Sequence, residues 1–189
     1  MKTCLLVIDA QESFRHRPYF APERVEPYLA AQNALIAGCT SHGISVVRIL
    51  HSDGPERADN PFARVSGQVR PLDGLSAVNP AAEFVKSRHS ALVGTGLDVW
   101  LIRNGVRRLI VSGIRTEQCC ETTTRHASDL GWDVDFVSDA TLTFDMHQLD
   151  GQILHADDIV QRTATVLKDR FATICTVDQA LSRAAAHGQ

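Results

Sequence analysis

Residues 108–131 read R-L-I-V-S-G-I-R-T-E-Q-C-C-E-T-T-T-R-H-A-S-D-L-G, and their pattern decides the fold. Arg108–Val111 is a short continuous apolar run, the mark of a strand buried on both faces. A glycine turn follows, then a helix over Thr116–Leu130 that Gly131 closes. Strand, tight turn and helix start make the geometry that exposes a nucleophile. Thr116 is the candidate N-cap, which puts Cys119 in the first turn of the helix. There the backbone N–H groups lack intrahelical partners and the helix dipole is positive, and both effects favour thiolate over thiol. Adjacent helical residues point about 100° apart, so Cys119 and Cys120 cannot both face one cleft. A disulfide between the two is the alternative, an unusual one in a cytoplasmic helix.

Working outward, the same alternation recurs. Cys4–Ile8 (CLLVI) and Ile44–Leu50 (ISVVRIL) read as strands, with a helix over Arg24–His42 between them that Gly43 stops. A helix over Leu97–Asn104, ended by Gly105, precedes the decisive stretch. After it come a strand at Val134–Val137, a helix from about His155 to Arg170, a strand at Ala172–Thr176 and a last helix after Asp178. Strands alternating with helices predict parallel strands joined by right-handed crossovers, hence an α/β sandwich. Residues 1–189 read as one domain without internal repeats, ending in an Ala-rich tail (AAAHGQ) expected to fray. From His51 to about Pro80 several Pro and Gly residues interrupt any period, and so long a loop in a compact domain is usually functional or mobile. Chemistry in such sheets gathers beyond the carboxyl ends of the strands, here after Ile8, after Val111 and after Leu50.

Composition narrows the function classes. With 44% hydrophobic and 22% charged residues the chain is an ordinary globular one. A formal net charge of -3 favours neither a nucleic acid nor an anionic membrane as partner. No apolar run approaches the roughly 20 residues of a membrane span. The first apolar stretch meets Asp9, Gln11 and Glu12 too soon for a signal peptide, so a cytoplasmic location is expected. Five scattered cysteines (4, 39, 119, 120 and 175) are neither a disulfide framework nor a zinc site; four suit buried, inert thiols, and Cys119 does not.

Two charged residues complete the candidate site. Asp9, in D-A-Q-E-S-F, stands at the end of the first strand, where one-sided desolvation adapts a carboxylate to proton transfer. Taken alone, it is equally a helix cap or a salt-bridge partner. Lys86, in V-K-S-R-H-S-A-L, means little by itself, as most lysines are solvated. Beside Asp9 it would hold that carboxylate ionised and lend positive charge to a nucleophile.

Together these segments resemble the isochorismatase-like, nicotinamidase-related cysteine hydrolases. The likeness covers nearly the whole chain. It runs through D-x-Q-x-x-F (Asp9, Gln11, Phe14), K-x-R-x-S-A (Lys86–Ala91), G-T-x-L-D (Gly94–Asp98) and G-V (Gly105–Val106). It continues with S-G-x-x-T-x-x-C-x-E-x-T (Ser112–Thr123) and the Asp139–Ala140 dipeptide. The resemblance implies a three-layer α/β/α sandwich with a mostly parallel six-stranded sheet. It implies Asp9 as proton shuttle, Lys86 as its charged neighbour and Cys119 as nucleophile, six residues after Gly113. It also implies a cis bond at Ile114–Arg115, an oxyanion hole from the N–H groups of Arg115 and Cys119, and a homo-oligomer.

The implied activity is cleavage of an amide, carbamoyl or ureido C–N bond of a small molecule through a thioester. The rivals are vinyl-ether hydrolysis and a non-catalytic thiol-sensing or binding domain. Two departures from the family stand out. The nicotinamidases' Asp-x-His metal pattern is replaced after the second strand by H-S-D-G-P-E, with His51 and Asp53, so no metal and no other cofactor is expected. Arg115 stands where the family commonly has a small residue; it either meets a substrate carboxylate or points to solvent. Phe14, His51 and Arg115 are the candidate substrate-binding side chains.

Overall fold

The computed structural model describes residues 1–186. Six strands form one sheet: β1 (Thr3–Ile8), β2 (Ser45–His51), β3 (Ala82–Lys86), β4 (Arg108–Ile114), β5 (Asp133–Leu142) and β8 (Thr173–Cys175). Their order is β3-β2-β1-β4-β5-β8 and every pairing is parallel. A separate antiparallel ribbon joins β6 (Met146–His147) to β7 (Ile153–Leu154). The helices are α1 (Val25–Ser41), α2 (Leu97–Arg103), α3 (Glu121–Asp129), α4 (Ala156–Leu167) and α5 (Val177–Ala186).

The two-residue period of β1 shows how the layers are made, because its side chains alternate between two cores. Leu5 and Val7 join Leu35 and Ile36 of α1 and Ala180 of α5 on one face. Cys4, Leu6 and Ile8 join Leu97 and Leu101 of α2, Ala127 of α3 and Leu167 of α4 on the other. All six residues of β1 are buried, as a central parallel strand requires. The result is a helix–sheet–helix sandwich. None of the described helices is long and apolar enough to cross a membrane.

Some expectations need correction. β3 was not anticipated: it is an edge strand of five residues whose Glu83 is exposed, so it has no continuous apolar run. The helix expected from Thr116 starts instead as a π-helical turn over Thr116–Cys120, and α3 begins only at Glu121. Thr116 does not cap it, because its hydroxyl is bonded to the Thr141 hydroxyl of β5 at 2.9 Å. The residue flanking the turn is Arg115, extended at φ -91° and ψ 150°. Of the tail, Ala184–Ala186 belong to α5, with Ala184 buried; residues 187–189 lie outside the described residues. The long segment after β2 holds only one short 3-10 turn, Arg64–Ser66.

The chain leaves β1 toward β2 and β3 on one side, and β4, β5 and β8 fill the other side. The order therefore reverses between β1 and β4, which makes a crevice beyond their carboxyl ends. Ile8 pairs with Gly113 at that end. Gly113 has φ +126°, and a Cβ there would lie 1.9 Å from the Ile8 carbonyl oxygen, so only glycine fits. The peptide bond Ile114–Arg115 is cis.

Candidate active site

Three strand ends on one side of the sheet's carboxyl edge supply the site. Asp9 follows β1, Lys86 ends β3, and Cys119 sits in the π-helical turn after β4. Asp9 has φ +50°, an uncommon conformation for a residue with a side chain, though one that Asp tolerates better than most. Its N–H donates to the Ile49 carbonyl of β2 at 2.9 Å. This bond fixes where the chain turns out of the sheet.

Lys86 stands 2.7 Å from Asp9 Oδ2, and both side chains are fully buried. The same ammonium donates to Cys119 Sγ at 3.2 Å and contacts His51 Nδ1 at 2.9 Å. Neither Asp9 oxygen has a well-aligned hydrogen bond among the described residues, so the carboxylate rests on its ion pair with Lys86. Burial works against the Lys86 charge, but Asp9 and Cys119 outweigh it and hold the ammonium above its ordinary pKa. Burial and the Asp9 charge push the Cys119 thiol up to about 12, with Lys86 pulling the other way. The expected depression by the helix start is thus overridden: burial and a facing carboxylate weigh more than the dipole of one turn. Cys119 holds its proton at neutral pH.

Cys119 opens onto a cavity of about 320 Å³, shared with Asp9, Phe14, Arg17, His51 and His89. Cys120 does not reach it and is fully buried. Phe14 packs edge-on against Phe62 of the long segment, with ring centroids 5.1 Å apart. Gln11 of the same motif clamps the end of β2. Its amide nitrogen donates to the His51 carbonyl at 2.9 Å, and its oxygen accepts the His51 N–H at 2.7 Å. The motif Lys86–Ala91 is tied to the signature helix by Thr123, whose hydroxyl accepts the Ala91 N–H at 3.0 Å.

Arg115 meets neither of the fates foreseen for its side chain. It is buried, 3.1 Å from Glu117, and its guanidinium lies 4.9 Å from the Tyr19 ring centroid. It is not among the residues lining the cavity. The arginine on the cavity wall is Arg17, which packs over Tyr19 and Phe62 at 5.7 and 6.0 Å and makes no ion pair among the described residues. His89, whose Nδ1 is 3.9 Å from Cys119 Sγ, also escaped the sequence reading. Arg17 directly follows the short 3-10 turn Glu12–His16, and His89 lies inside a motif read only for its lysine; neither position carries a periodic signal.

The family model "Isochorismatase domain" matches residues 3–179. The uncharacterized isochorismatase family protein YrdC of Bacillus subtilis is 29% identical over 96% of this chain and 95% of its own length. Streptothricin hydrolase of Streptomyces noursei is 29% identical over 75% of this chain and 50% of its own length. Nicotinamidase 3 of Arabidopsis thaliana is 45% identical over a shorter segment, 42% of this chain and 36% of its own. The crystal structure of a putative isochorismatase from Burkholderia xenovorans superposes with a TM-score of 0.86 at 28% identity, covering 99% of this chain and 88% of that one. With its fold, its motifs and a family match over nearly its whole length, the chain belongs to the isochorismatase family of hydrolases.

Proposed function

We propose that the protein hydrolyses a C–N bond of a small molecule (an amide, carbamoyl or ureido group) through a thioester on Cys119. The observation that carries this reading is the buried Lys86 ammonium, which touches the Asp9 carboxylate at 2.7 Å and the Cys119 sulfur at 3.2 Å beside the cavity. Asp9 takes the thiol proton as sulfur attacks the carbonyl carbon, and the ammonium keeps the departing proton's two sites close. Backbone N–H groups of Arg115 and Cys119 hold the developing oxyanion. Protonated Asp9 then gives its proton to the leaving nitrogen as the C–N bond breaks. Water, deprotonated by Asp9, attacks the thioester, and the proton returns to sulfur. A cavity of about 320 Å³ suits a small substrate, and Arg17 on its wall suits one bearing an acidic group. Relatives named for the hydrolysis of streptothricin and of nicotinamide support C–N chemistry over cleavage of a vinyl ether.

The test is ammonia release from a panel of primary amides, carbamoyl and ureido compounds, followed by variants on the best substrate. Asp9→Asn and Cys119→Ser should each lower kcat by roughly 10²–10⁴-fold or more, and the double variant should be hardly worse. Mass spectrometry should catch an acyl adduct on Cys119. A Cys119→Ser enzyme that works at the wild-type rate would end the reading.

A further inference from the structure

Lys86 and His51 are register partners on adjacent parallel strands. The Lys86 ammonium has three N–H bonds and three neighbours: Asp9 Oδ2 at 2.7 Å, His51 Nδ1 at 2.9 Å and Cys119 Sγ at 3.2 Å. A protonated lysine only donates, so His51 Nδ1 must accept through its lone pair. An imidazole whose Nδ1 is bare carries its single proton on Nε2. The ring has little freedom to escape this. Gln11 holds its backbone on both sides, and Phe62 stands edge-on with centroids 5.8 Å apart.

Nε2 is left without a hydrogen bond among the described residues. Asp53 Oδ2 lies 3.8 Å away, beyond hydrogen-bond reach, on a side chain whose other oxygen already accepts the Gly54 N–H at 2.7 Å. His51 lines the same cavity as Cys119. We infer that His51, locked by Lys86 as the neutral Nε2–H tautomer, binds substrate by donating to an acceptor oxygen of the molecule whose carbonyl Cys119 attacks. The substrate half of this inference rests on the proposed hydrolysis; the tautomer lock does not. Protonating Nδ1 would set an N–H against the ammonium. Burial and Lys86 both lower the His51 pKa, with His89 adding to them, and Asp9 and Asp53 do not restore it. Electrostatics thus favours the same neutral form that the contact with Lys86 requires. One ammonium thereby fixes the base, the nucleophile and a substrate donor.

Two measurements test this. Nitrogen-15 spectra of histidine-labelled protein should show His51 protonated on Nε2 only at about pH 7 and above. A proton on Nδ1, or an imidazolium at pH 7, would overturn the lock. The second measurement uses two alkylating reagents on Cys119: iodoacetamide, which has a carbonyl acceptor, and iodomethane, which has no oxygen to accept a hydrogen bond. A Gln side chain sets its amide near the Nε2 position, whereas an Asn side chain reaches only the Nδ1 position. His51→Gln should keep the ratio of the two rates within about twofold, and His51→Asn should lower it about fivefold, the value of one neutral hydrogen bond. The reverse ranking would make His51 merely an acceptor for Lys86 and refute the substrate role. A failure of Cys119→Ser to affect hydrolysis would leave the spectral result standing, so the two readings fail separately.

Discussion

Cys119 and Cys120 differ by one position in sequence and by everything in their surroundings. Both thiols are raised by burial, Cys120 well above its ordinary value and Cys119 to about 12, but only Cys119 reaches the cavity. Alkylation by iodoacetamide should therefore fall on Cys119 and spare Cys120. Because the reactive species is the thiolate, its rate should climb from about pH 7 to about pH 10 without levelling off. Peptide mapping after partial labelling checks both points; a plateau near neutrality would mean an ionised resting thiol. Lys86→Ala should be costly for stability as well as turnover. It leaves the buried Asp9 carboxylate without its cation, a loss of about 3–5 kcal/mol, which urea denaturation would read. These residues were legible because their chemistry sits inside spaced motifs. The roles of Arg115 and Arg17 were not, since spacing alone does not say which way an arginine turns: Glu117, two residues on, neutralises the first, and the second faces aromatic rings.

The elements divide in the same way. The central strands β1 and β4 are buried at every position, so continuous apolar runs announce them. The edge strand β3 and the two-residue strands β6 and β7 are held by their partners' backbones rather than by an apolar pattern of their own, and no period betrays them. The start of the signature helix was misjudged for a related reason. A hydroxyl at Thr116 reads locally as a cap, but the neighbouring strand offers it Thr141. The turn before it tolerates no such rearrangement. Gly113→Ala would drive a methyl into the Ile8 carbonyl, 1.9 Å from the Cβ position, at a φ of +126°. The backbone conformation alone costs about 1–3 kcal/mol for an alanine, and the overlap adds to it. Denaturant unfolding should show the variant destabilised by more than about 3 kcal/mol, or failing to fold. A stability within about 0.5 kcal/mol of wild type would mean that β1 and β4 can separate at the switch point.

Over the whole molecule, all five cysteines are buried and free. Burial raises the thiols of Cys4 and Cys39 to about 12 and that of Cys175 to about 11, besides the two in the signature turn. In the unfolded chain a thiol titrates near about 8.5. Below that pH both states hold the proton and the contribution to stability is complete. Above it the unfolded chain releases protons that the native state retains, so unfolding becomes more favourable as pH rises toward the native values. Each such thiol lowers stability by up to about 1.4 kcal/mol per pH unit in that window. Lys86 acts in the same direction at higher pH, because its native pKa is also raised. The fold should thus weaken steeply between about pH 9 and about pH 11, with no change in its parallel sheet. Urea midpoints across that range would measure the slope. Cys4→Ala, whatever it costs at neutral pH, should flatten the slope by about one thiol's share. A midpoint independent of pH up to about pH 11 would mean that the unfolded chain keeps its thiols protected too.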